Sequence, residues 1–449
     1  MIEILFSYFS SINTFFWGYL GFALILTLGL FYSIKSRFFQ IRALPSSLRS
    51  FIQLLFTKHK GEEGLHPLRA FFASMGGMIG IGNIVGIVTA IEMGGPGALL
   101  WVWVSALFGS IIKYSEVFLG FKYRVASGQK GFHGGPMYFL GKAFKSRLMP
   151  FFVAFLLCIY GVEIYQFSVI TSSIELNWHI DRNLIIGLFI ALIFYAGIGG
   201  VNRVGKICSI LMPIIMAIYT VMSLWIICLH MPELPSLLAN VFSSAFTGHA
   251  AIGGFAGSTM LLAVQQGASS AAYSADIGIG TDSIIQSESS TKDPVVQARL
   301  ASMGVFIDNF VCTLSMLVVL LTGVWKATPA VSPSQYTQMA LSSIFPGMHL
   351  FMPLLFFVLG YMTIISYFCV GLKSARFLSP KWGAKSFIAY ALFAFIFFSF
   401  FDQTKTRTIM SFVGGLLLTC NLIGVFRLRK EIRFVALEEP VISEEPVHG

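Results

Sequence analysis

Eleven long apolar runs are the feature that most constrains how this chain can fold. They lie at about 15–34, 70–93, 98–121, 149–174, 183–200, 207–230, 251–273, 295–325, 347–372, 386–401 and 408–427. About 20 apolar residues suffice for a helix to cross a bilayer. Barrel strands, the other structure that can cross one, alternate apolar and polar residues, and these runs do not. The sequence therefore predicts an all-α polytopic membrane protein with about 11 transmembrane helices.

Positive charge is distributed very unevenly among the loops. With the N-terminus outside, the predicted inner loops hold 25 of the 30 Lys and Arg residues and the outer loops hold four. The inner loops are 35–69, 122–147, 203–206, 292–299, 373–385 and 427–433. Because Lys and Arg accumulate in cytoplasmic loops, we predict a multi-pass protein of the cell inner membrane with a cytoplasmic C-terminus. The net charge of +10 then reflects this topology and does not indicate a nucleic-acid partner.

The chain is predicted to form one transmembrane domain. Residues 1–433 contain every span without an intervening linker, and 434–449 form an acidic tail on the cytoplasmic side. The first run has neither a basic segment before it nor a small-residue cleavage site, so we interpret it as a retained span. The lipid bilayer is the partner that this organisation implies, and no obligate protein partner is evident.

The second span is unusually rich in glycine. MGGMIGIGNIVGIVTAIEMGGPG, residues 75–97, contains eight glycines and Asn83. Since glycine costs about 1 kcal/mol relative to alanine in a helix interior, this stretch predicts a broken helix. The seventh span has a similar cluster at Gly253, Gly254 and Gly257.

The two weak spans lie five crossings apart and therefore enter the bilayer from opposite sides. This arrangement is typical of transporters with inverted repeats, whose discontinuous helices bind substrate at the membrane midplane. We predict a five-plus-five inverted repeat, about 70–230 and about 251–427, with one extra N-terminal helix. The alternative for each cluster is helix packing, since Gly76 and Gly80 have the G-x-x-x-G spacing.

Several segments, in order along the chain, resemble the sodium:alanine/glycine symporter family. They are GIGNIVGIVTAIEMGGPGALLWVW (80–103), GGPMYF (134–139), GGFAGS (253–258) and FID (306–308). The resemblance implies a fold of the leucine-transporter type. It also implies import of alanine or glycine by symport with sodium through alternating access, with no enzyme activity and no cofactor besides the coupling ion.

The same resemblance implies a binding site shared by the two breaks and by spans four and nine. The implied substrate-binding residues are Gly80, Gly82, Asn83, Gln166, Gly254, Phe255, Ala256, Gly257, Ser258 and Tyr367. Thr363 is the implied sodium-ligating hydroxyl. Its alternative role is a hydrogen bond to a carbonyl of its own helix.

Some positions depart from the family pattern. Ile81 and Met362 stand where the family has hydroxyl residues, which removes two hard oxygen ligands near the implied ion site. Ser168 replaces an asparagine, Asp276 replaces a glutamate, and Tyr367 replaces a tryptophan. These changes leave the coupling ion and the exact substrate open.

Glu163, in span four, stands where the family has a neutral asparagine. Because an ionisable residue inside a membrane is a functional candidate by default, we consider it a candidate for proton coupling. The alternative function for this chain is therefore proton-coupled or cation-independent transport of small amino acids. The other interpretation of Glu163 is a carboxylate near the outer water boundary.

Other embedded charges favour structural roles, and other classes of function lack support. Lys113 and Glu116 are spaced as partners on one helix face, and for Asp308 we expect a helix-end or interhelical hydrogen bond. A channel or an amino acid-sensing receptor would need a ring of pore charges or a large ligand domain, and neither is visible. The eight histidines lack the spacing of metal ligands.

Overall fold

The computed structural model describes residues 2–56, 63–127, 131–247, 260–327 and 333–435. In the first half of the chain the helices are α1 (Ile2–Phe15), α2 (Phe22–Lys35), α3 (Phe39–Arg42), α4 (Leu44–Phe56), α5 (Pro67–Met78), α6 (Val88–Gly94), α7 (Ala98–Lys122), α8 (Pro136–Phe144), α9 (Leu148–Tyr160), α10 (Ile164–Trp178) and α11 (Arg182–Ile198). A π-helical turn, Phe16–Gly21, joins α1 to α2, and a 3-10 turn, Ile81–Asn83, lies between α5 and α6. Two short antiparallel strands, β1 (Val125–Ala126) and β2 (Phe132–His133), follow α7.

The second half of the chain is also helical. Its helices are α12 (Gly200–Leu229), α13 (Leu234–Thr247), α14 (Met260–Ser274), α15 (Thr281–Gln286), α16 (Pro294–Thr322), α17 (Val324–Ala327), α18 (Pro333–Ser342), α19 (Met348–Leu378), α20 (Gly383–Phe398) and α21 (Gln403–Arg427).

Seven helical stretches in the described residues are long and apolar enough to cross a membrane. They are Phe6–Lys35, Ala98–Lys122, Leu148–Trp178, Gly200–Leu229, Pro294–Thr322, Met348–Leu378 and Gln403–Arg427. Each overlaps a predicted span, and the shorter apolar helices α11 and α20 overlap two more. The prediction of an all-helical membrane protein is confirmed, whereas the count of 11 and the inverted repeat stay predictions.

The helix starts follow from the sequence. The side chains of Asp181, Asp293 and Asp402 accept hydrogen bonds from backbone N–H groups of the first turns of α11, α16 and α21. Such N-caps satisfy donors that would otherwise lack a partner. Pro67 and Pro294 occupy the first turn of α5 and α16, where the missing N–H of proline costs nothing.

Small residues let the central helices approach closely. A Cβ on Gly161 would lie 2.6 Å from the Cα of Gly371 in α19, and one on Gly267 in α14 would lie 2.4 Å from the Ala98 carbonyl oxygen. Packing of small residues is how membrane helices associate tightly. The helix α19 is mostly buried, whereas the stretch Phe6–Lys35 is mostly exposed at the periphery.

Two predicted loops contain helices. The inner loop 35–69 includes α3 and α4, and the segment after α14 folds inward and carries the buried helix α15. Backbone hydrogen bonds of 2.7 Å join Leu65 to Glu288 and Ser290 to Leu65, which fixes this inward segment beside the start of span two.

The predicted inner loops meet at one end of the molecule. The Arg124 guanidinium donates to the carbonyls of Ser287, Ser289 and Thr291. Lys373 forms an ion pair with Glu288. This clustering is consistent with the predicted orientation, in which all of these loops lie on the cytoplasmic side.

Candidate functional site

Span two is interrupted where its sequence predicted. The helix α5 ends at Met78 and α6 begins at Val88. The backbone is extended at Gly80, and side chains replace the missing helical acceptors there. The N–H of Gly80 donates to Asn83 Oδ1 at 2.9 Å, and the N–H of Ile81 donates to Gln166 Oε1 at 3.3 Å.

Gly80 has no room for a side chain. A Cβ at this position would lie 2.5 Å from the Thr363 hydroxyl and 2.8 Å from Gln166 Oε1. At Gly82, in contrast, the nearest atom to a Cβ is the Ser274 Cα at 4.0 Å. Gly80 therefore permits close packing of three elements, whereas Gly82 faces open space.

Asn83 ties the break of span two to another span. Its amide nitrogen donates to Asp308 Oδ1 on α16 at 2.5 Å. The Ser274 hydroxyl, at the end of α14, donates to the same carboxylate at 3.3 Å. The interhelical hydrogen bond expected for Asp308 is confirmed. All three side chains are buried, so this cluster braces the break.

Span four is also interrupted, which corrects the prediction of one continuous helix over 149–174. The helix α9 ends at Tyr160, α10 begins at Ile164, and Glu163 between them has the left-handed backbone φ of 50°. Gly161 packs against Gly371 at this point. The residues on both sides of Glu163 remain apolar, so the single glycine at 161 did not indicate the break.

The two breaks share a small cavity of about 10 Å³, about the minimum that one water molecule requires. Its lining residues are Gly77, Met78, Gly82, Tyr160, Glu163, Gln166, Tyr273, Ser274 and Tyr367. Among the predicted site residues, Gly82, Gln166, Tyr367 and Glu163 thus lie together. Sequence reasoning missed Tyr160 and Tyr273, which have no pattern that separates them from ordinary apolar packing residues.

The other predicted site residues are placed differently. Gly80 and Asn83 support the break without lining this cavity. Gly254, Phe255, Ala256, Gly257 and Ser258, with most of the acidic tail, lie outside the described residues.

Thr363 joins α19 to the end of α5. Its hydroxyl is placed to donate to the Gly76 carbonyl oxygen at 3.0 Å and to that of Leu359 at 3.2 Å. The second is the bond to its own helix that is the alternative to sodium ligation. Ile81 and Met362, the positions without hydroxyls, are fully buried. The described residues at this place therefore offer a hydroxyl and carbonyl oxygens to a cation, and no group of three or more His, Cys, Asp or Glu side chains forms a metal site elsewhere among them.

Asp276 does not line the cavity, but it is hydrogen-bonded to two residues that do. Its carboxylate accepts hydrogen bonds from the hydroxyls of Tyr160 at 3.1 Å, of Thr281 at 3.0 Å, and of Tyr367. Two of these donors line the cavity. Because Asp276 follows α14 while Tyr160 and Tyr367 belong to α9 and α19, this cluster links the end of span seven to spans four and nine.

A buried ion pair lies next to Asp276. Lys113 Nζ lies 2.6 Å from Asp282 Oδ2 on α15 and donates to the Asp276 carbonyl oxygen at 2.6 Å. The spacing predicts Glu116 as the partner of Lys113, and this prediction is wrong. The ion pair of Lys113 is with Asp282. The carboxylate oxygens of Glu116 are buried without a hydrogen-bond partner. Helical spacing could not reveal a partner about 170 residues away.

Two larger cavities lie toward the ends of the molecule. One, of about 290 Å³, is lined by Arg407 and reaches Gly82 and Tyr273, which also line the central cavity. The other, of about 560 Å³, is lined by Arg69, Lys373 and other residues of the predicted inner side, and shares no lining residue with the central cavity. The central cavity is therefore closer to the Arg407 end.

Among the titratable groups outside the spans, His133 and Glu431 have pKa values that are shifted downward. Burial, together with the charges of Lys373 and Arg376, lowers the pKa of His133. Hydrogen bonds from Lys122 and Tyr123, both 2.5 Å long, lower the pKa of Glu431. Both groups lie at the end where the predicted inner loops meet.

Comparison with known proteins adds to this geometry. The model of the sodium:alanine symporter family matches residues 2–438. An uncharacterized transporter of Haemophilus influenzae is 32% identical over 437 residues, which cover 94% of this chain and 93% of that protein. The sodium/alanine symporter AgcS of Methanococcus maripaludis is 30% identical over 443 residues, covering 93% and 94%.

The fold also resembles a solved structure. A manganese transporter mutant of Eremococcus coleocola superposes with a TM-score of 0.51 at 14% identity, over 81% of this chain and 76% of that one. At this identity the likeness concerns the fold alone.

Proposed function

Because the chain belongs to the sodium:alanine symporter family, we propose that it imports a small neutral amino acid, alanine or glycine, together with sodium. Family membership makes it a multi-pass membrane transporter and not an enzyme. The observation that carries the finer proposal is the interruption of span two beside a buried cavity, where Gly82 and Gln166 meet.

The broken span suits a zwitterion. The residues around Gly82 leave the regular helix, and in this conformation Asn83 and Gln166 hold the N–H groups of Gly80 and Ile81. A substrate carboxylate would take the place of these side-chain acceptors. Backbone N–H groups at such a break attract a carboxylate, and unwound carbonyls attract a cation. The substrate-binding residues proposed are Gly80, Gly82, Asn83, Gln166 and Tyr367, together with 254–258 of the seventh span.

Size selection follows from what surrounds the cavity. Tyr160, Tyr273 and Tyr367 all line it, and such rigid rings leave little space for a substrate side chain. The cavity now has room for about one water molecule, so it must widen to admit a substrate, and the three rings would then tolerate a methyl group or a hydrogen at the substrate Cα. This argument favours alanine and glycine over larger neutral amino acids.

The proposed sodium ligand is Thr363. Its hydroxyl and the Gly76 carbonyl bring two oxygens from spans nine and two within 3.0 Å of each other, and sodium, a hard cation, prefers oxygen ligands. The absence of hydroxyls at Ile81 and Met362 lowers the number of ligands.

Transport is proposed to follow alternating access within one domain, 1–433, built from the inverted repeats 70–230 and 251–427. The cavity near Arg407 opens to the outside, and the larger cavity near Lys373 opens to the cytoplasm. The Asp276 cluster closes the inner side and opens when the substrate is released.

Uptake by proteoliposomes tests this function. The purified full-length chain is reconstituted, and labelled alanine and glycine are supplied under an inward sodium gradient, a proton gradient, or neither. We expect saturable accumulation that requires sodium and collapses with a sodium ionophore. Uptake that only equilibrates would indicate a channel and contradict the proposal.

A second candidate is a proton-coupled carrier, favoured by the buried Glu163 at the cavity. In the same vesicles, this candidate requires accumulation driven by the proton gradient alone. Accumulation under a sodium gradient at equal pH on both sides would exclude it.

A further inference from the structure

Glu163 is a buried acid that faces the N–H donors of Gln166 and is in no ion pair of the described residues. It is 1% exposed and lines the central cavity. Neither carboxylate oxygen has a hydrogen-bond partner. The backbone and side-chain N–H groups of Gln166 interact with this carboxylate as hydrogen-bond donors, in a geometry outside the range of an ordinary hydrogen bond.

Among the described residues, no cation forms an ion pair with this acid. The ion pairs in the described part of the chain involve Lys113, Lys122, Arg182 and Lys373, and Glu163 is in none of them. A second buried carboxylate, Asp276, repels it from behind the tyrosines of the cavity wall. Since an isolated buried carboxylate is very costly, this arrangement calls for a cation or a proton from outside the protein.

The remaining groups around Glu163 suit an organic cation. The titratable side chains that face it are Tyr160 of its own span, Tyr165 of α10, Tyr273 of α14, Tyr367 of α19, and Asp276. Aromatic faces combined with carboxylates are how proteins recognise ammonium groups.

We propose that Glu163 binds the ammonium group of the transported amino acid, and so determines specificity for amines. This inference rests on the proposed function and adds a side-chain ligand at a position where the resembled family has a neutral residue. The substrate carboxylate then lies toward Gly82 on the wall formed by span two. Because the two charged groups of an α-amino acid share one carbon atom, both can lie between Gly82 and Glu163 once the cavity, which now has room for about one water molecule, has widened.

The test compares alanine with L-lactate, which has the same shape and carries a hydroxyl in place of the ammonium. Binding of labelled alanine to the purified full-length protein is measured with lactate as competitor. We expect Glu163→Gln to weaken alanine binding roughly tenfold or more, as loss of a charge-assisted hydrogen bond does, and to leave lactate competition unchanged. Glu163→Asp keeps the charge and should retain part of the preference for alanine.

Glu116→Gln is the matched control. Glu116 is also buried, with both carboxylate oxygens lacking a hydrogen-bond partner, but it does not line the cavity. We expect this variant to bind alanine like the wild type. Thermal unfolding of both variants shows whether they fold.

Two outcomes would overturn the proposal. One is alanine binding by a folded Glu163→Gln variant within about twofold of the wild type, which would leave Glu163 to a proton or a structural role. The other is an equal loss for alanine and lactate, which would indicate general damage to the cavity.

If the wild type binds neither alanine nor glycine, the proposed function fails, and ethylammonium still tests Glu163. Ethylammonium needs only the ammonium site, so we expect it to raise the unfolding temperature of the wild type and not that of Glu163→Gln. Equal stabilisation of both proteins, or of neither, would contradict the assignment.

Discussion

A single amide side chain, Asn83, determines how span two is interrupted. It accepts from the Gly80 N–H and donates to Asp308 Oδ1. An amide is the side chain suited to both tasks, since it carries an acceptor and two donors. An interruption that would otherwise expose backbone groups to lipid is in this way satisfied inside the protein.

We predict that Asn83→Ala destabilises the protein by about 1–3 kcal/mol, the cost of leaving a buried polar group without its partner. Both the Gly80 N–H and the Asp308 carboxylate lose a hydrogen bond. The measurement is the unfolding midpoint of the purified protein in detergent.

Asn309→Ala is the control for this prediction. Asn309 is the next residue after Asp308, and its side-chain oxygen has no hydrogen-bond partner. It should lose clearly less stability than Asn83→Ala. Equal losses in the two variants would contradict the bracing role of Asn83.

His133 gives a prediction about pH. Its folded pKa is lowered from the usual 6.5 by burial and by Lys373 and Arg376. Below about pH 6.5, the unfolded chain therefore binds a proton at this histidine and the folded chain does not. The free energy of unfolding then falls as the pH drops toward the folded pKa. Above about pH 6.5 the histidine is neutral in both states, and its protonation no longer lowers the stability.

We expect the unfolding temperature of the wild type to decrease between about pH 7.5 and 5.5, and His133→Asn to show a shallower decrease over that interval. The exposed His349, replaced in the same way, serves as control. Parallel curves for wild type and His133→Asn would refute the assignment.

At the residue scale, the sequence could indicate which residues belong to the site better than which residues they contact. The glycine cluster identified Gly80 and Gly82 because the need for glycine at a helix break depends on the local backbone conformation. The hydrogen bond between Tyr367 and Asp276 joins two positions where the chain departs from the family pattern, and neither position reveals the other. Their pairing depends on how spans seven and nine pack, which one sequence does not contain.

At the scale of helices, the Asp276 cluster is the contact that we propose closes the predicted inner side. It connects the end of α14 with α9 and α19 through the hydroxyls of Tyr160 and Tyr367. Since α14 belongs to a weak span and α19 is deeply buried, this is where a moving element would separate from a fixed one.

We predict that Tyr367→Phe loosens this contact. The ring remains and the hydroxyl is lost, so the segment 274–286 should exchange its amide hydrogens severalfold faster in a hydrogen-exchange experiment. Tyr361→Phe is the control, because that hydroxyl also lies on α19 but donates to the Leu192 carbonyl. Unchanged exchange over 274–286 in Tyr367→Phe would argue against a closing role.

The pair of Lys113 and Asp282 leads to another prediction. Both side chains are buried, so Lys113→Met leaves an unpaired acid and should cost about 3–5 kcal/mol. Adding Asp282→Asn should recover part of that loss. Unfolding midpoints of the two single variants and the double variant measure the coupling.

The ion pair of Lys122 with Glu431 serves as the comparison, because each of its two side chains is about one-third exposed. Lys122→Met should lose at most about 1 kcal/mol, since exposed pairs contribute little. If Lys113→Met and Lys122→Met lose the same unfolding free energy, water must reach the Lys113 site and the prediction is wrong.

Helices were predictable from hydropathy where they cross the membrane in one piece. The long stretches and their order agree with the apolar runs because lipid imposes the same length on each. Helices such as α4 and α15 were missed, since they are short and lie within charged or polar segments. The break at Glu163 was missed because the residues on both sides remain apolar.

For the whole molecule, the two end cavities differ in how closely they approach the centre. The cavity lined by Arg407 shares Gly82 and Tyr273 with the central one, whereas the cavity lined by Lys373 shares none. This conformation is therefore closed toward the Lys373 end.

We predict opposite changes in labelling at the two ends during transport. In a variant lacking the six native cysteines, Ser270→Cys should react quickly with a polar thiol reagent and Leu372→Cys slowly, as their cavities indicate. Alanine with sodium should slow the first and accelerate the second, each severalfold. Choline in place of sodium is the control, and changes in the same direction at both sites would contradict alternating access.

The bond between Asn83 and Asp308 joins residues 225 positions apart, and this has a consequence for biosynthesis. When the ribosome has delivered the second span, the partner that braces its interruption has not yet been made. The nascent chain must hold this weak segment in the translocon or among its neighbours until the eighth span emerges. Premature termination before residue 308 should therefore yield a fragment that quality-control proteases degrade, even though its other helices insert normally.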